Sequence, residues 1–411
     1  MGCCDAPGLM PLDEAEAMIY RQLHAIRETE TQALPTALDR ILAEDIHAPI
    51  DVPGYDNSAM DGYALRSADL NQFPTFKQVG KSFAGHAFDG DVGRGQCVRI
   101  MTGAPMPKGT DLVVMQEDVN VEGEQIRLTH PQKLKVGTNV RRRGGDIDKG
   151  SQILRAGVRL GPAHIGLLAS LGLAEVPVFR RLRVGLLSTG DELCPPGTPL
   201  ASGQIYDSNR YLLSAILTRL NVEILDYGLI ADDPAAIRAA FERAQSECDL
   251  ILSSGGVSVG EADYTRDILG ELGDITFWKI AMKPGKPLAF GRLGSAWFFG
   301  LPGNPVSAAL TFHQIALPAL QRLAGELPAT PLCLPAELGA TTRKRPGRTD
   351  FQRGSLTTRE GKLVATPQDE QSSGVLSSMT RADCYIKLGQ FAGNQAEGET
   401  VEVLPFDRWI L

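Results

Sequence analysis

An α/β multidomain protein is predicted by three features of this 411-residue sequence. Between residues 182 and 325, apolar runs (LRVGLLS, VEILDYGLI, DLILSS, AWFFGLP) alternate with helical patterns of ten or more residues. That alternation marks βαβ units and a central, mostly parallel sheet. Residues 51–146 instead carry short alternating runs cut by glycine, proline and asparagine, and similar runs return after Pro331. The chain is also longer than one ordinary core accommodates.

The elements follow in order. Leu12, Ala15, Met18, Ile19, Leu23 and Ile26 recur at helical spacing, with Asp13 and Glu14 where the helix dipole favours acids, so an amphipathic helix opens the chain. GQCVRIMTG, LVVMQEDVNV and QIRLTH make residues 51–146 an inserted small β domain. Helical pattern resumes in GPAHIGLLASLGLAEVPV, where Pro162 suits a first helical position and Gly172 a C-terminal cap. Residues 7–50 and 147–180 are therefore expected to form one discontinuous linking domain around the insert. The α/β domain is placed at 181–328. KLVATP, CYIKLGQ and ETVEVLP place a C-terminal β-barrel-like domain at 329–411.

Composition narrows the function. With 41 basic and 49 acidic residues, net charge -8, the chain has no broad basic footprint for nucleic acid. Seven cysteines without CxxC spacing indicate neither a disulfide framework nor a thiolate zinc site, and read as reduced thiols. MGCCDAPGLMPLDEAEA lacks a basic-then-apolar signal, and no apolar run approaches the roughly 18 residues that span a bilayer. A cytoplasmic protein without membrane contact is expected.

In an open α/β sheet, ligands bind outside the carboxyl ends of the strands. Three loops there combine glycine with hydroxyl or amide groups at an expected helix start: STGDEL (188–193), SSGGVSVGEADY (253–264) and GLPGNPVS (300–307). Glycine admits a ligand close to the backbone, and helix N-termini attract anions, so a phosphate-bearing ligand is implied. Glu192 and Asp263 read as helix caps or as acids facing that ligand, whereas for Asp232 with Asp233, before PAAIRAAF, the helix-start reading leads. Carboxylates beside a phosphate call for a divalent cation, and oxygen ligands with phosphate point to Mg²⁺. Lys279, Lys283 and Lys286 surround a Pro-Gly turn that can aim ammonium groups at an anion. RRRGGD (141–146) is a candidate binding loop ending in Asp146, and DVPGYDNSAMDGYAL (51–65) carries Asp51, Asp56 and Asp61 in a segment too polar for a core. Arg343, Lys344, Arg345, Arg348 and Arg353 read as surface charge, one or two of them reaching a phosphate. HExxH, GxSxG and GxGxxG are absent in usable context.

DVPGYDNSAMDGYA, RIMTGAPMP, RRRGGDI, STGDEL, SGGVSVGEADY, KPGKP and LPGNPVSA occur in the order found in the molybdopterin molybdenumtransferase family, which includes the bacterial MoeA proteins and the C-terminal domain of gephyrin. The chain resembles that family along nearly its whole length. The resemblance implies a molybdopterin-binding type of α/β domain, an elongated homodimer, and a site between the α/β domain of one subunit and the β insert of the other. It implies insertion of molybdenum from molybdate into the dithiolene of adenylylated molybdopterin, with Mg²⁺-dependent release of AMP. It also implies catalytic roles for Asp61, Asp146, Glu192, Asp232 and Asp263, with Glu192 and Asp263 as metal ligands. Whether each acid binds metal or moves protons stays open. Thr102, Ser188, Gly190, Ser254, Gly255, Gly256, Lys279, Lys283, Pro302, Gly303, Asn304 and Pro305 are implied as substrate contacts, whereas Ser373 matches only loosely. A substrate that brings its own two sulfur ligands fits the lack of clustered cysteines. Transient contact with a molybdopterin adenylyltransferase is a further expected partnership. Two alternatives remain: a noncatalytic molybdopterin-binding scaffold, and a molybdopterin adenylyltransferase.

Overall fold

The computed structural model describes residues 8–255, 264–407 and 409–410, apart from the side chain of Phe277. Helix Leu12–Gln22 opens it and buries Ala15 and Ile19 against the largest core. Thr29–Ala33 pairs antiparallel with Glu175–Phe179, and Ile46–His47 with Gln152–Leu154. Segments far apart in the chain thus enclose one core around Leu34, Leu42, Leu160, Leu168 and Val178. The crossing into the intervening segment is marked by the Val52–Ile147 antiparallel bridge. Beyond it, a six-stranded sheet between Gly62 and Leu128 closes over Tyr63, Phe76, Cys97 and Val114.

The α/β unit contains β1 (Arg183–Thr189), α1 (Ser208–Arg219), β2 (Glu223–Ile230), α2 (Pro234–Glu247), β3 (Leu250–Ser254), α3 (Tyr264–Leu272), β4 (Gly273–Lys279), β5 (Pro287–Leu293), β6 (Ala296–Leu301) and α4 (Pro305–Thr311). Strand order is β2-β1-β3-β6-β5-β4; the first four run parallel, while β5 lies antiparallel to both β6 and β4. Burial on both faces explains the unbroken apolar runs of β1 and β3. One face packs Leu213 of α1 with Val306 and Leu310 of α4, and the other packs Ile237 and Phe241 of α2 with Ile268 and Leu269 of α3.

Three expectations are corrected. STGDEL does not start a helix: after Gly190 the chain enters the short strand Leu193–Cys194, and α1 begins only at Ser208, capped by Asp207. The lysine-rich turn is flanked by two strands, β4 and β5, that strand-helix alternation had not suggested. The long helix read from Asn304 onward is broken by a π turn at Phe312–Ala316, next to Pro318, which cannot donate a main-chain hydrogen bond.

The C-terminal strands β7 (Leu334–Leu338), β8 (Thr349–Arg359), β9 (Lys362–Pro367), β10 (Cys384–Leu388) and β11 (Thr400–Pro405) pair in the order β8-β9-β7-β11-β10, and β10 pairs again with β8. The result is a closed five-stranded barrel. Met282–Lys283 pairs parallel with the start of β8, placing Lys283 opposite Asp350 and joining the barrel to the α/β unit.

Candidate active site

A cleft of about 1310 Å³ lies at the carboxyl ends of the parallel strands, where an open sheet places a ligand. Its floor is built from turns that need glycine. Gly190 has φ +144°, and a Cβ there would lie 2.7 Å from Glu192 Oε2, so the Glu192 carboxylate folds over the turn. Gly255 has φ +89°, and a Cβ there would lie 2.6 Å from the Thr189 carbonyl oxygen. Any side chain at Gly255 would meet main chain.

Behind these turns is a buried polar layer. The Ser188 hydroxyl donates to Asp207 Oδ1 at 3.2 Å. Asp207, 1% exposed, also caps α1 through the Arg210 N–H (3.1 Å) and accepts from Arg210 Nε (3.0 Å). Asn209 Nδ2 donates to Ser254 Oγ (2.8 Å) and to the Gly303 carbonyl (2.7 Å), tying α1, β3 and the loop before α4 together. Because a carbonyl only accepts, this orientation of the amide is forced.

Pro302, Gly303, Asn304 and Pro305 form the opposite wall. Pro305 occupies the first position of α4, where its missing N–H costs nothing, and Asn304 donates to Ser373 Oγ at 3.0 Å. The Val306 N–H donates to the Ser373 carbonyl at 3.1 Å, so barrel residues Gln371–Gly374 close that side. Lys283, Lys286 and Arg348 supply positive charge to the lining. Lys283 Nζ is held at 2.9 Å from Oδ2 of the buried Asp350.

The cleft therefore gathers Gly190, Glu192, Asp232, Ser254, Gly255, Lys283 and the Pro302–Pro305 turn, while Ser188 supports it from beneath. Lys279 does not line it, although Lys286 from the same turn does. Asp263 and Gly256 lie outside the described residues, as does Glu261. Asp61, Thr102 and Asp146 belong to the insert and its neck, and do not line the cleft of their own chain.

On the insert, Asp61 Oδ1 accepts from the Thr102 N–H (2.8 Å) and the Thr102 hydroxyl (3.0 Å). These two donors, the main-chain one foremost, hold the Asp61 carboxyl below its ordinary range. Asp51 and Asp56 have structural partners: Asp56 binds Arg142 Nη1 (2.6 Å) and the Arg143 N–H (2.8 Å), and Asp51 binds Arg143 Nε (2.5 Å) and the Lys149 N–H (2.7 Å). The unusual polarity of DVPGYD is thus explained by its pairing with RRRGGD.

The basic tail residues are also corrected. Arg353 and Lys344 are buried, 1% and 4% exposed, rather than surface charge. Arg353 donates to Ser378 Oγ and to the carbonyls of Glu370 and Ser372, and Lys344 donates to three carbonyls. Sequence reasoning missed Asp207, Asn209 and Asp350 as parts of the site. Asp207 and Asn209 stand at the start of α1, where Asp and Asn are ordinary residues, and nothing around Asp350 signalled that β8 adjoins the lysine turn. Among the described residues, no three His, Cys, Asp or Glu side chains are gathered to hold a metal.

Three family models match the chain: the MoeA N-terminal region (domain I and II) over residues 10–172, a probable molybdopterin binding domain over 185–322, and the MoeA C-terminal region (domain IV) over 335–406. A molybdopterin molybdenumtransferase of Haemophilus influenzae is 47% identical over 401 residues, covering 97% of this chain and 99% of that protein. A molybdopterin molybdenumtransferase of Bacillus subtilis is 35% identical, covering 96% and 94%. The crystal structure of a molybdopterin biosynthesis MoeA protein from Pyrococcus horikoshii superposes with TM-score 0.84 at 28% identity, covering 97% of this chain and all of that one.

Proposed function

The chain belongs to the MoeA family of molybdopterin molybdenumtransferases, and from that premise we propose that it transfers molybdenum from molybdate to the dithiolene of adenylylated molybdopterin with release of AMP. It is an enzyme of molybdenum cofactor biosynthesis, with molybdopterin and molybdate as substrates. The observation that carries the finer reading is the cleft itself, where glycine turns, three cations and the Glu192 and Asp232 carboxylates face one volume. Such a lining suits a substrate with a phosphate at one end and an incoming oxyanion at the other.

Each residue has a task in this reading. Lys283, Lys286 and Arg348 neutralise the phosphate and the tetrahedral oxyanion, with Lys283 kept in place by Asp350. The turns at Gly190 and Gly255 let main-chain N–H groups approach the phosphate. Glu192 has no partner for its carboxylate among the described residues, which fits a ligand for Mg²⁺, an ion that commonly keeps waters and substrate phosphate in its shell. Bound Mg²⁺ would supply Lewis-acid polarisation of the phosphate, with Asp263 as the second protein ligand. Asp232 lines the same volume and orients what is bound there.

Asp61, Thr102 and Asp146 complete the site from a second subunit of a cytoplasmic homodimer, which also receives its pterin substrate from an adenylyltransferase. Their positions on the insert, away from their own cleft, support this arrangement. The decisive experiment supplies purified protein with adenylylated molybdopterin, Mg²⁺ and molybdate and follows AMP and active cofactor. Failure to form either refutes the reading. Mixing Asp61→Asn and Glu192→Gln proteins, each of much reduced activity, tests the shared site: random pairing raises the rate to about a quarter of wild type if the residues come from different subunits, and leaves it at the level of the single variants if they act within one chain.

A further inference from the structure

Asp191 and Asp232 grip each other's main chain at the mouth of the cleft. The Asp191 N–H donates to Asp232 Oδ2 at 3.2 Å, and the Asp232 N–H donates to Asp191 Oδ1 at 3.0 Å. Both residues stand two positions past Thr189 and Ile230, the last partners in the β1–β2 ladder. The clasp continues the ladder after the strands have ended, using side-chain oxygens where main-chain carbonyls no longer meet. Two exposed carboxylates brought together repel each other, so the arrangement persists only because each also satisfies a main-chain donor.

The residue after Asp191 is Glu192, whose carboxylate lies over Gly190 in the cleft. On its other flank the Glu192 carbonyl accepts from the Ile205 N–H at 2.8 Å. Glu192 is therefore fixed through its main chain from both sides, while its carboxylate has no partner among the described residues. The turn itself is closed by the Leu193 N–H donating to the Gly190 carbonyl at 3.0 Å, so the clasp adds a second restraint on the segment that carries Glu192. We propose that Asp191 is a positioning residue: its clasp with Asp232 sets where the Glu192 carboxylate stands relative to the bound substrate. The inference rests on the transferase reading for its catalytic consequence, and on hydrogen-bond geometry alone for the clasp.

The test compares Asp191→Ala, which removes the acceptor, with Asp191→Asn, which keeps a side-chain oxygen. Hydrogen exchange of the Asp232 amide reports the clasp without any substrate. Transfer kinetics and Mg²⁺ dependence report its consequence. Asp191→Ala should speed exchange at Asp232 and lower kcat about tenfold with KM changed less than about twofold, since geometry and not binding is lost. It should also raise the Mg²⁺ concentration needed for half-maximal rate, and Asp191→Asn should recover exchange and kcat together. Unchanged exchange in Asp191→Ala overturns the clasp. Faster exchange with unchanged kcat and Mg²⁺ dependence overturns the positioning role. A wild-type protein that releases no AMP refutes the transferase reading instead, and the exchange comparison then tests the clasp by itself.

Discussion

Replacing Arg353 by Met separates two opposing effects at the junction of barrel and cleft. The guanidinium is 1% exposed, and burial pushes its pKa down. It donates to Ser378 Oγ at 3.1 Å, to the Glu370 carbonyl at 3.2 Å and to the Ser372 carbonyl at 3.1 Å. Methionine has a comparable length and removes a buried charge, which by itself is neutral or stabilising. Against that, three bonds from a charged donor are lost, each worth about 1.5–3 kcal/mol net. The partly exposed Glu370 and Ser372 carbonyls recover some of this from water, so the net loss is about 2–4 kcal/mol. Phe351, Tyr385 and Leu404 of the barrel share one core with α4 and the α/β sheet, so the barrel unfolds together with them and the midpoint falls by roughly 5 °C.

Calorimetry reports the unfolding midpoint, and transfer kinetics report the loop. Gln371 keeps its own bonds to the Arg353 main chain, so the loop should stay folded but loosen at Ser372 and Ser373. KM for the pterin substrate should then rise more than kcat falls. If Arg353→Met leaves both the unfolding midpoint and KM unchanged, the desolvation cost of the guanidinium had cancelled its bonds and the argument fails.

Gly255→Ala should abolish transfer at little cost to the bulk fold, because a Cβ would lie 2.6 Å from the Thr189 carbonyl oxygen at a φ of +89°; a near-normal AMP yield with normal circular dichroism would contradict this. Glu16 is moved from its ordinary 4.5 to about 7, by burial first and then by Asp13. A raised folded pKa means stability that is full below pH 4.5 and lost as pH rises through 7, so the wild-type midpoint should fall over that window and Glu16→Gln should flatten the fall. At Asp249 burial pushes the pKa up, but the Arg180 fork at 2.7 and 2.8 Å and the Arg183 N–H outweigh it and hold the carboxyl below 3.8. Its contribution is present above pH 3.8 and lost as pH falls further, so the midpoint gap between wild type and Asp249→Asn should narrow only in acid.

The elements that were legible are those with a local cause. β1 and β3 are short apolar runs buried on both faces, and α1, α2 and α4 carry Asp, Asp and Asn at their caps. β4 and β5 were hidden because they pair antiparallel as a hairpin around KPGKP, whose lysines read as a turn for a ligand. The glycine loops pointed to the cleft because their chemistry is main-chain chemistry and needs no partner from elsewhere. Arg353 and Lys344 were misread for the opposite reason: their burial depends on carbonyls contributed by loops 17 to 48 residues away, which no local pattern encodes. Asp350 belongs to the same class, meeting Lys283 across 67 residues.

The acids implicated by motif divide by what holds them. Asp61 accepts two hydrogen bonds that are stronger to its ionised form, so its carboxyl is held below the ordinary 3.8. Proton exchange at neutral pH calls for a group poised near 7, and stabilising the carboxylate moves Asp61 away from that point. Its role is better matched to a fixed negative charge that orients a cation or a donor on the substrate. Glu192 differs, since no described residue donates to its carboxylate and its position is set through the main chain. If both act on one substrate, Asp61→Asn should lower kcat without shifting the pH at which the rate turns, because the group removed does not titrate there. A pH–rate profile whose acidic limb disappears in Asp61→Asn would assign the proton to Asp61 after all.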